Sequence, residues 1–287
     1  MNSVTLCSIG ILGAGTMGMQ IALLCASRGM KVSLWNHSLR PDFEKTFRRM
    51  ASVQTKLGTL SKENAEMAVS NVDYVCNMEM LQGCSIVIEA VTENLEIKHH
   101  VLKNLGIIAD TANVIATNTS TLSITALASI FPEPQKFVGI HFFNPPLSME
   151  LVEIVRGEHT SDETVTMVLQ FLASLGKQPV VLPETPGFVV NRLLFPMINE
   201  AIFLLAEGIS DARTIDNCMK MGAHHPMGPL ELADLIGLDT CLSILETLVT
   251  ETGDGKYRPA PLLKKYVRAG KLGKKSGSGF YSYRKKG

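Results

Sequence analysis

The polar residues that could do chemistry stand out against the apolar runs that hold them. His141 lies in HFFNPP, directly after a β-branched run, and Glu153 lies inside LVEIV, an otherwise apolar stretch. Histidine titrates near neutral pH, and a carboxylate against one ring nitrogen fixes the tautomer and leaves the other nitrogen to take a proton. Near one another, the two would form a general base and its partner. Taken singly, His141 reads as a hydrogen-bonded core histidine and Glu153 as a charge at a strand edge. Residues 117–121 (TNTST) put hydroxyls and an amide at the carboxyl end of an expected strand, the usual binding edge of a parallel sheet.

A second group is a glycine loop. Gly13, Ala14, Gly15, Thr16, Met17 and Gly18 form GxGxxG between an expected strand and an expected helix. The first glycine permits a tight turn, the second lets the backbone approach a pyrophosphate, and the third lets the helix pack close to the strand. The helix N-terminus then offers N–H groups to the anion. The strand-loop-helix context separates this from a chance glycine turn and points to a dinucleotide. Where an Asp or Glu would hold the adenosine ribose, the sequence has Asn36, followed by His37, Ser38 and Arg40. An amide bonds a ribose hydroxyl without repelling a 2′-phosphate, and the residues after it could hold one. The expected cofactor is therefore NAD or NADP; residues 37–40 read equally as a polar loop facing solvent.

The elements that must position these groups alternate in the first half of the chain. Strands are expected over 6–12, 31–35, 85–90, 113–117, 136–140 and 178–182. Helices are expected over 16–27, 41–57, 61–68, 95–108 and 161–175. Such alternation implies a parallel sheet with helices on both faces. PETPG at 183–187 then punctuates the chain, and only helices follow: 188–208, 211–221, 228–236, 240–252 and 260–269. The fold class is α/β, a Rossmann-like doubly wound sheet over 1–186 followed by an all-α C-terminal domain over 187–287. Helix 188–208 is apolar nearly all round, which suits either a core helix or one buried against a second subunit.

Composition narrows the class. The 287 residues are 46% hydrophobic and 19% charged, with 27 basic residues balancing 27 acidic ones. Such a chain buries a sizeable core and carries no global field toward nucleic acid or an anionic membrane. No apolar run reaches the roughly 20 residues of a membrane span, and the N-terminus does not read as a signal peptide. The six cysteines show no CxxC pair and read as reduced core residues of a cytoplasmic protein. No ligand cluster suggests a metal. His99/His100 and His224/His225 are adjacent pairs that face different sides of a helix and read as surface or cap residues.

The segments GAGTMG, IEAVTEN, NTSTLSI, HFFNPPLSMELVEIV, PGFVVNR, INEA, HPMGPLEL, GDGKYRP, LLKKYVRAG and GKKSGSGFY occur in this order. Together they resemble the L-3-hydroxyacyl-CoA dehydrogenase family, closest to its bacterial 3-hydroxybutyryl-CoA type, over nearly the whole chain. The resemblance implies an N-terminal nucleotide domain, a helical C-terminal domain that forms a homodimer, and an acyl-CoA substrate. It implies His141 as catalytic base with Glu153 as its partner, and Ser120 and Asn191 on the substrate's C3 oxygen and carbonyl. Asn144 is implied beside the nicotinamide, with Glu93, Lys98 and Lys275 contacting the cofactor. Asn36 departs from the Asp usual in the family. The CoA-contacting helix is usually lysine-rich, whereas ASVQTKLGTL offers Ser52 and Lys56. A related β-hydroxyacid dehydrogenase acting on a free acid, with a catalytic lysine, and a non-enzymatic crystallin-like protein are the rival readings. The presence of Ser120, His141, Glu153 and Asn191 together argues against both.

Overall fold

In the computed structural model, which describes residues 8–106 and 111–283, one sheet organises the first part of the chain. Its strands are β1 (Ser8–Leu12), β2 (Lys31–Trp35), β3 (Val72–Val75), β4 (Ile86–Glu89), β5 (Val114–Thr117), β6 (Phe137–Phe142), β7 (Leu151–Arg156) and β8 (Gln178–Pro183). They lie in the order β3-β2-β1-β4-β5-β6-β7-β8. The apolar runs of β4, β5 and β6 are buried at every position, as expected of strands covered on both faces. Residues 6 and 7, including Cys7, and the expected helical residues 107 and 108 lie outside the described residues.

Two strands were not expected from the sequence. β3 is short and only half-buried, so it carries little apolar signal, and β7 had been given no range, although Glu153 taken singly read as a charge at a strand edge. The sheet is also not wholly parallel: β6 and β7 pair antiparallel, while the other neighbours run parallel. The physical reason is the connection 143–150, which carries Pro145 and Pro146 and is too short for the helix a parallel crossover requires.

The helices of this part are α1 (Thr16–Ala26), α2 (Phe43–Lys56), α3 (Lys62–Ser70), α4 (Leu95–Gly106), α5 (Ile124–Ala128) and α6 (Asp162–Ser174). Local chemistry sets several starts. The Ser61, Ser123 and Ser161 hydroxyls accept the Asn64, Ala126 and Thr164 N–H groups at the openings of α3, α5 and α6. Ile21, Leu23 and Leu24 from α1 and Val168, Phe171 and Leu172 from α6 pack with Ile9, Ile11, Ile88 and Ile140 of the sheet in one core. Each such side chain fully buried contributes about 1.5–3 kcal/mol of hydrophobic stabilisation.

The described chain falls into two compact units, one ending at Thr185 and one starting at Pro186. The second is helical: α7 (Val190–Ala206), α8 (Ala212–Gly222), α9 (Pro229–Ile236), α10 (Leu238–Thr252) and α11 (Pro261–Arg268). Its own core joins Phe195, Ile198 and Ile202 of α7 to Leu230, Leu245, Leu248 and Leu263. The near-uniform apolarity of 188–208 resolves into a buried face and an outer face on which Leu193 is 72% exposed. The cysteine expectation needs correcting in part: Cys25, Cys84 and Cys241 are buried, but Cys76 and Cys218 are exposed. Among the described residues, no helix is long and apolar enough to cross a membrane.

Candidate active site

β1 has β2 on one side and β4 on the other, so strand order reverses there and opens a crevice at the carboxyl ends. The glycine loop leaves β1 into that crevice. Gly13 adopts φ +106°, and a Cβ on it would stand 2.8 Å from the Ala90 carbonyl oxygen. A Cβ on Gly18 would overlap the Gly13 carbonyl oxygen. Gly15 differs, because nothing lies within 4 Å of where its Cβ would stand. Its backbone borders a cavity of about 640 Å³ walled by residues 13–15, by Trp35, Asn36, His37 and Arg40, and by 90–92 with Ile97, His100 and Asn104. An open glycine backbone at a helix N-terminus, beside a cavity of this size, fits a dinucleotide.

Asn36 Oδ1 accepts the Ala14 N–H at 3.4 Å, and Arg40 Nη2 donates to the Ala14 carbonyl at 2.9 Å. The second loop residue is therefore held from both sides of its own backbone by the segment after β2. Asn36 Nδ2 donates to the Ser38 carbonyl at 2.9 Å.

A second group of polar residues sits where β4 and β5 end. Glu89 is fully buried and meets the Lys98 ammonium with both oxygens, at 2.8 and 2.9 Å. Thr117 Oγ1 donates to it at 2.6 Å and the Val91 N–H at 2.7 Å. Lys98 also reaches Glu93 at 3.2 Å. Lys98, expected at the cofactor, is 1% exposed and paired with both acids. Glu93 Oε1 in turn accepts from Thr119 Oγ1 at 2.5 Å and from the Ser120 N–H at 2.8 Å. Burial would raise the Glu93 pKa, but the Lys98 charge and the Thr119 and Ser120 hydrogen bonds outweigh it and hold it below the usual carboxylate value. The carboxylate thus fixes the turn that carries Ser120.

The next strand brings His141 to the same edge. β5 and β6 run parallel with Thr117 beside Gly139, and Asn118 Oδ1 accepts the Phe142 N–H at 3.0 Å. Antiparallel pairing of β6 and β7 sets His141 directly opposite Glu153. The Nδ1 to Oε2 distance is 2.8 Å, with His141 6% and Glu153 1% exposed. A carboxylate only accepts, so Nδ1 carries the proton and Nε2 is the basic nitrogen of the neutral ring.

The remaining expected residues are distributed as follows. Asn144 Oδ1 accepts from Gln20 Nε2 of α1 at 3.0 Å. Ser52 and Lys56 are exposed on α2. Asn191 lies in α7 of the second unit, 7% exposed. Lys275, also in the second unit, forms an ion pair with Asp239 at 2.6 Å. The first unit thus brings together Ser120, Glu93 and Lys98, and separately His141 with Glu153.

Sequence reasoning passed over Glu89 and Asn104 and gave His100 no role at the cofactor. His100 had been read as a surface or cap residue, yet it lines the cavity. A signal existed for Glu89, since a lone acid closing the apolar run SIVIE must have a partner if the strand is buried.

Comparisons with known proteins agree with this geometry. The 3-hydroxyacyl-CoA dehydrogenase NAD binding domain matches residues 8–185, and the C-terminal domain of the same family matches residues 187–283. A 3-hydroxybutyryl-CoA dehydrogenase of Bradyrhizobium diazoefficiens is 45% identical over 282 residues, covering 96% of this chain and 95% of its own. A probable 3-hydroxybutyryl-CoA dehydrogenase of Deinococcus radiodurans is 44% identical over 279 residues, covering 96% and 99%. The crystal structure of (S)-3-hydroxybutyryl-CoA dehydrogenase from Ralstonia eutropha superimposes with a TM-score of 0.90 at 43% identity, covering 98% of this chain and 100% of that one. With both domains matched in order along nearly its whole length, the chain belongs to the 3-hydroxyacyl-CoA dehydrogenase family.

Proposed function

We propose that this oxidoreductase interconverts (S)-3-hydroxybutyryl-CoA and acetoacetyl-CoA, with His141 as acid and base. The observation that carries the reading is the buried His141–Glu153 pair, 2.8 Å apart on adjacent strands at the binding edge of the sheet. Nicotinamide dinucleotide, when bound, accepts or supplies the hydride. The chain's own residues handle the proton and the polarised oxygen. In oxidation, His141 Nε2 takes the proton of the C3 hydroxyl. In reduction, the imidazolium returns it to the C3 oxygen. Glu153 holds the ring in its working tautomer and stabilises the imidazolium.

Ser120 and Asn191 bond the C3 oxygen and the thioester carbonyl. A well-placed donor to developing charge of this kind contributes about 3 kcal/mol. Asn144 would stand beside the nicotinamide. Glu93, Lys98 and Lys275 serve the cofactor, and Ser52 and Lys56 the CoA moiety. The helical unit forms a homodimer, a reading supported by exposed apolar side chains such as Leu193, Ile209 and Met221.

Initial rates with acetoacetyl-CoA, following nicotinamide absorbance, test the proposal against free acetoacetate. Turnover of the thioester is expected, with His141→Gln lowering kcat by about 10²–10⁴. Turnover of the free acid alone, or a His141→Gln enzyme of undiminished rate, would overturn it.

A further inference from the structure

The walls of the 640 Å³ cavity carry an uneven charge. Among the described residues that line it there is no Asp or Glu, whereas the Arg40 guanidinium is there. In a site made for an adenosine ribose with a free 2′-hydroxyl, a carboxylate at the end of the second strand accepts from that hydroxyl; a nearby arginine instead accommodates a 2′-phosphate. Here Asn36 occupies the strand end and Arg40 stands four residues on, both facing the cavity. The two are tied to opposite ends of the same loop residue, Asn36 to the Ala14 N–H and Arg40 to the Ala14 carbonyl. That tether holds the guanidinium against the glycine loop. It commits Nη2, out of five N–H donors on the group. The nearest acids along the chain do not cancel the charge from within the cavity: Glu44 is paired with Arg48 at 2.8 Å, and Asp42 accepts from Thr46.

We infer that Asn36 and Arg40 form a subsite for a phosphate monoester on the adenosine ribose, so that the chain binds NADP(H) more tightly than NAD(H). The inference rests on the dinucleotide reading of this cavity and adds the phosphate to it. A 2′-phosphate meets a guanidinium through charge-assisted hydrogen bonds, while the Asn36 amide imposes no like-charge repulsion.

The test is binding, read apart from turnover. Dissociation constants of NADH and NADPH are measured by fluorescence on the free protein, and those of 5′-AMP and 2′,5′-ADP by calorimetry. The expected result is tighter binding of NADPH than of NADH and of 2′,5′-ADP than of 5′-AMP. Arg40→Leu should weaken NADPH at least about ten-fold more than NADH, the loss of a hydrogen bond to a charged group. Because Arg40 also touches the glycine loop, Asn36→Asp provides the second arm. It leaves the guanidinium in place and should reverse the preference toward NADH. Tighter binding of NADH by the wild-type protein, or equal weakening of both cofactors by Arg40→Leu with no reversal by Asn36→Asp, overturns the subsite and leaves the dehydrogenase reading intact. Failure of both dinucleotides to bind overturns the cofactor reading along with it.

Discussion

Each unit buries carboxylates, and the two units satisfy them by different means. In the first, Glu89 faces Lys98 and Glu153 faces His141, so each acid meets a side chain that carries or can carry positive charge. In the second, Asp216 and Asp234 are 1% and 0% exposed and are met by backbone N–H groups and phenols. Asp216 accepts from Leu230 and Glu231 at 2.8 and 2.9 Å, at the opening of α9, and from the Tyr281 hydroxyl at 2.6 Å. Asp234 accepts from the Phe280 and Tyr281 N–H groups, both at 2.9 Å, and from the Tyr283 hydroxyl at 3.2 Å. Burial raises the Asp234 pKa, its hydrogen bonds oppose this, and the like charge of Asp216 adds to it. Burial first, and then the neighbouring carboxylates, push the Tyr281 and Tyr283 phenols upward as well. The first arrangement can move a proton or hold a charged ligand. The second pins residues 280–283 to α8 and α9. The difference separates carboxylates paired with a lysine or a histidine from carboxylates that build a frame.

The sharpest test of that difference is Lys98→Met. It leaves Glu89 buried without its cation, and breaking a buried pair in this way costs about 3–5 kcal/mol. Urea unfolding followed by circular dichroism reads the loss. A cost no larger than that of removing one neutral hydrogen bond would erase the distinction between the two units.

Glu93→Gln comes next, with an intermediate loss and a distinctive pH dependence. The folded pKa of Glu93 lies below its ordinary value of 4.5. A lowered folded pKa means stability that is present above the unfolded pKa and disappears as pH falls through the folded one. The gap in Tm between the wild-type and variant proteins should therefore be full at neutral pH and close as the solution is acidified below the ordinary value. A gap independent of pH would mean that the Lys98 charge is not what Glu93 feels.

The comparison also shows which parts were legible in the sequence. The glycine loop could be read because its chemistry depends on local spacing and on one strand and one helix at its flanks. His141 and Glu153 were conspicuous as polar residues in apolar surroundings. Their direct opposition was not legible, because it depends on the register and antiparallel sense of β6 and β7. The same limit explains Lys98. The motif that carries it gave no sign of its buried partner: the parallel neighbours β4 and β5 bring Glu89 and Thr117 side by side, and Lys98 closes on that acid. His100 could not be told from a surface histidine until the cavity wall was assembled. In the second unit, nothing local marks Asp216 and Asp234 as partners of residues 280–283. The separations are about one-fifth of the chain, and only packing reveals them.

Tyr281→Phe marks the weak end of the comparison. The Tyr281 hydroxyl lies 2.6 Å from Asp216 Oδ2 and 3.1 Å from the Ala212 carbonyl. The ring keeps its packing in the variant, so only the polar contact is removed. Asp216 retains the two N–H donors of α9, and the favourable field of that helix N-terminus continues to stabilise its charge. The loss should be about 1 kcal/mol, a fall of roughly 4–8 °C in Tm for a domain of about 100 residues, with turnover unchanged. A loss as large as that of Lys98→Met would mean that the phenol, rather than the helix N-terminus, neutralises Asp216. The frame of the second unit would then depend on its tyrosines as the first unit depends on its lysine.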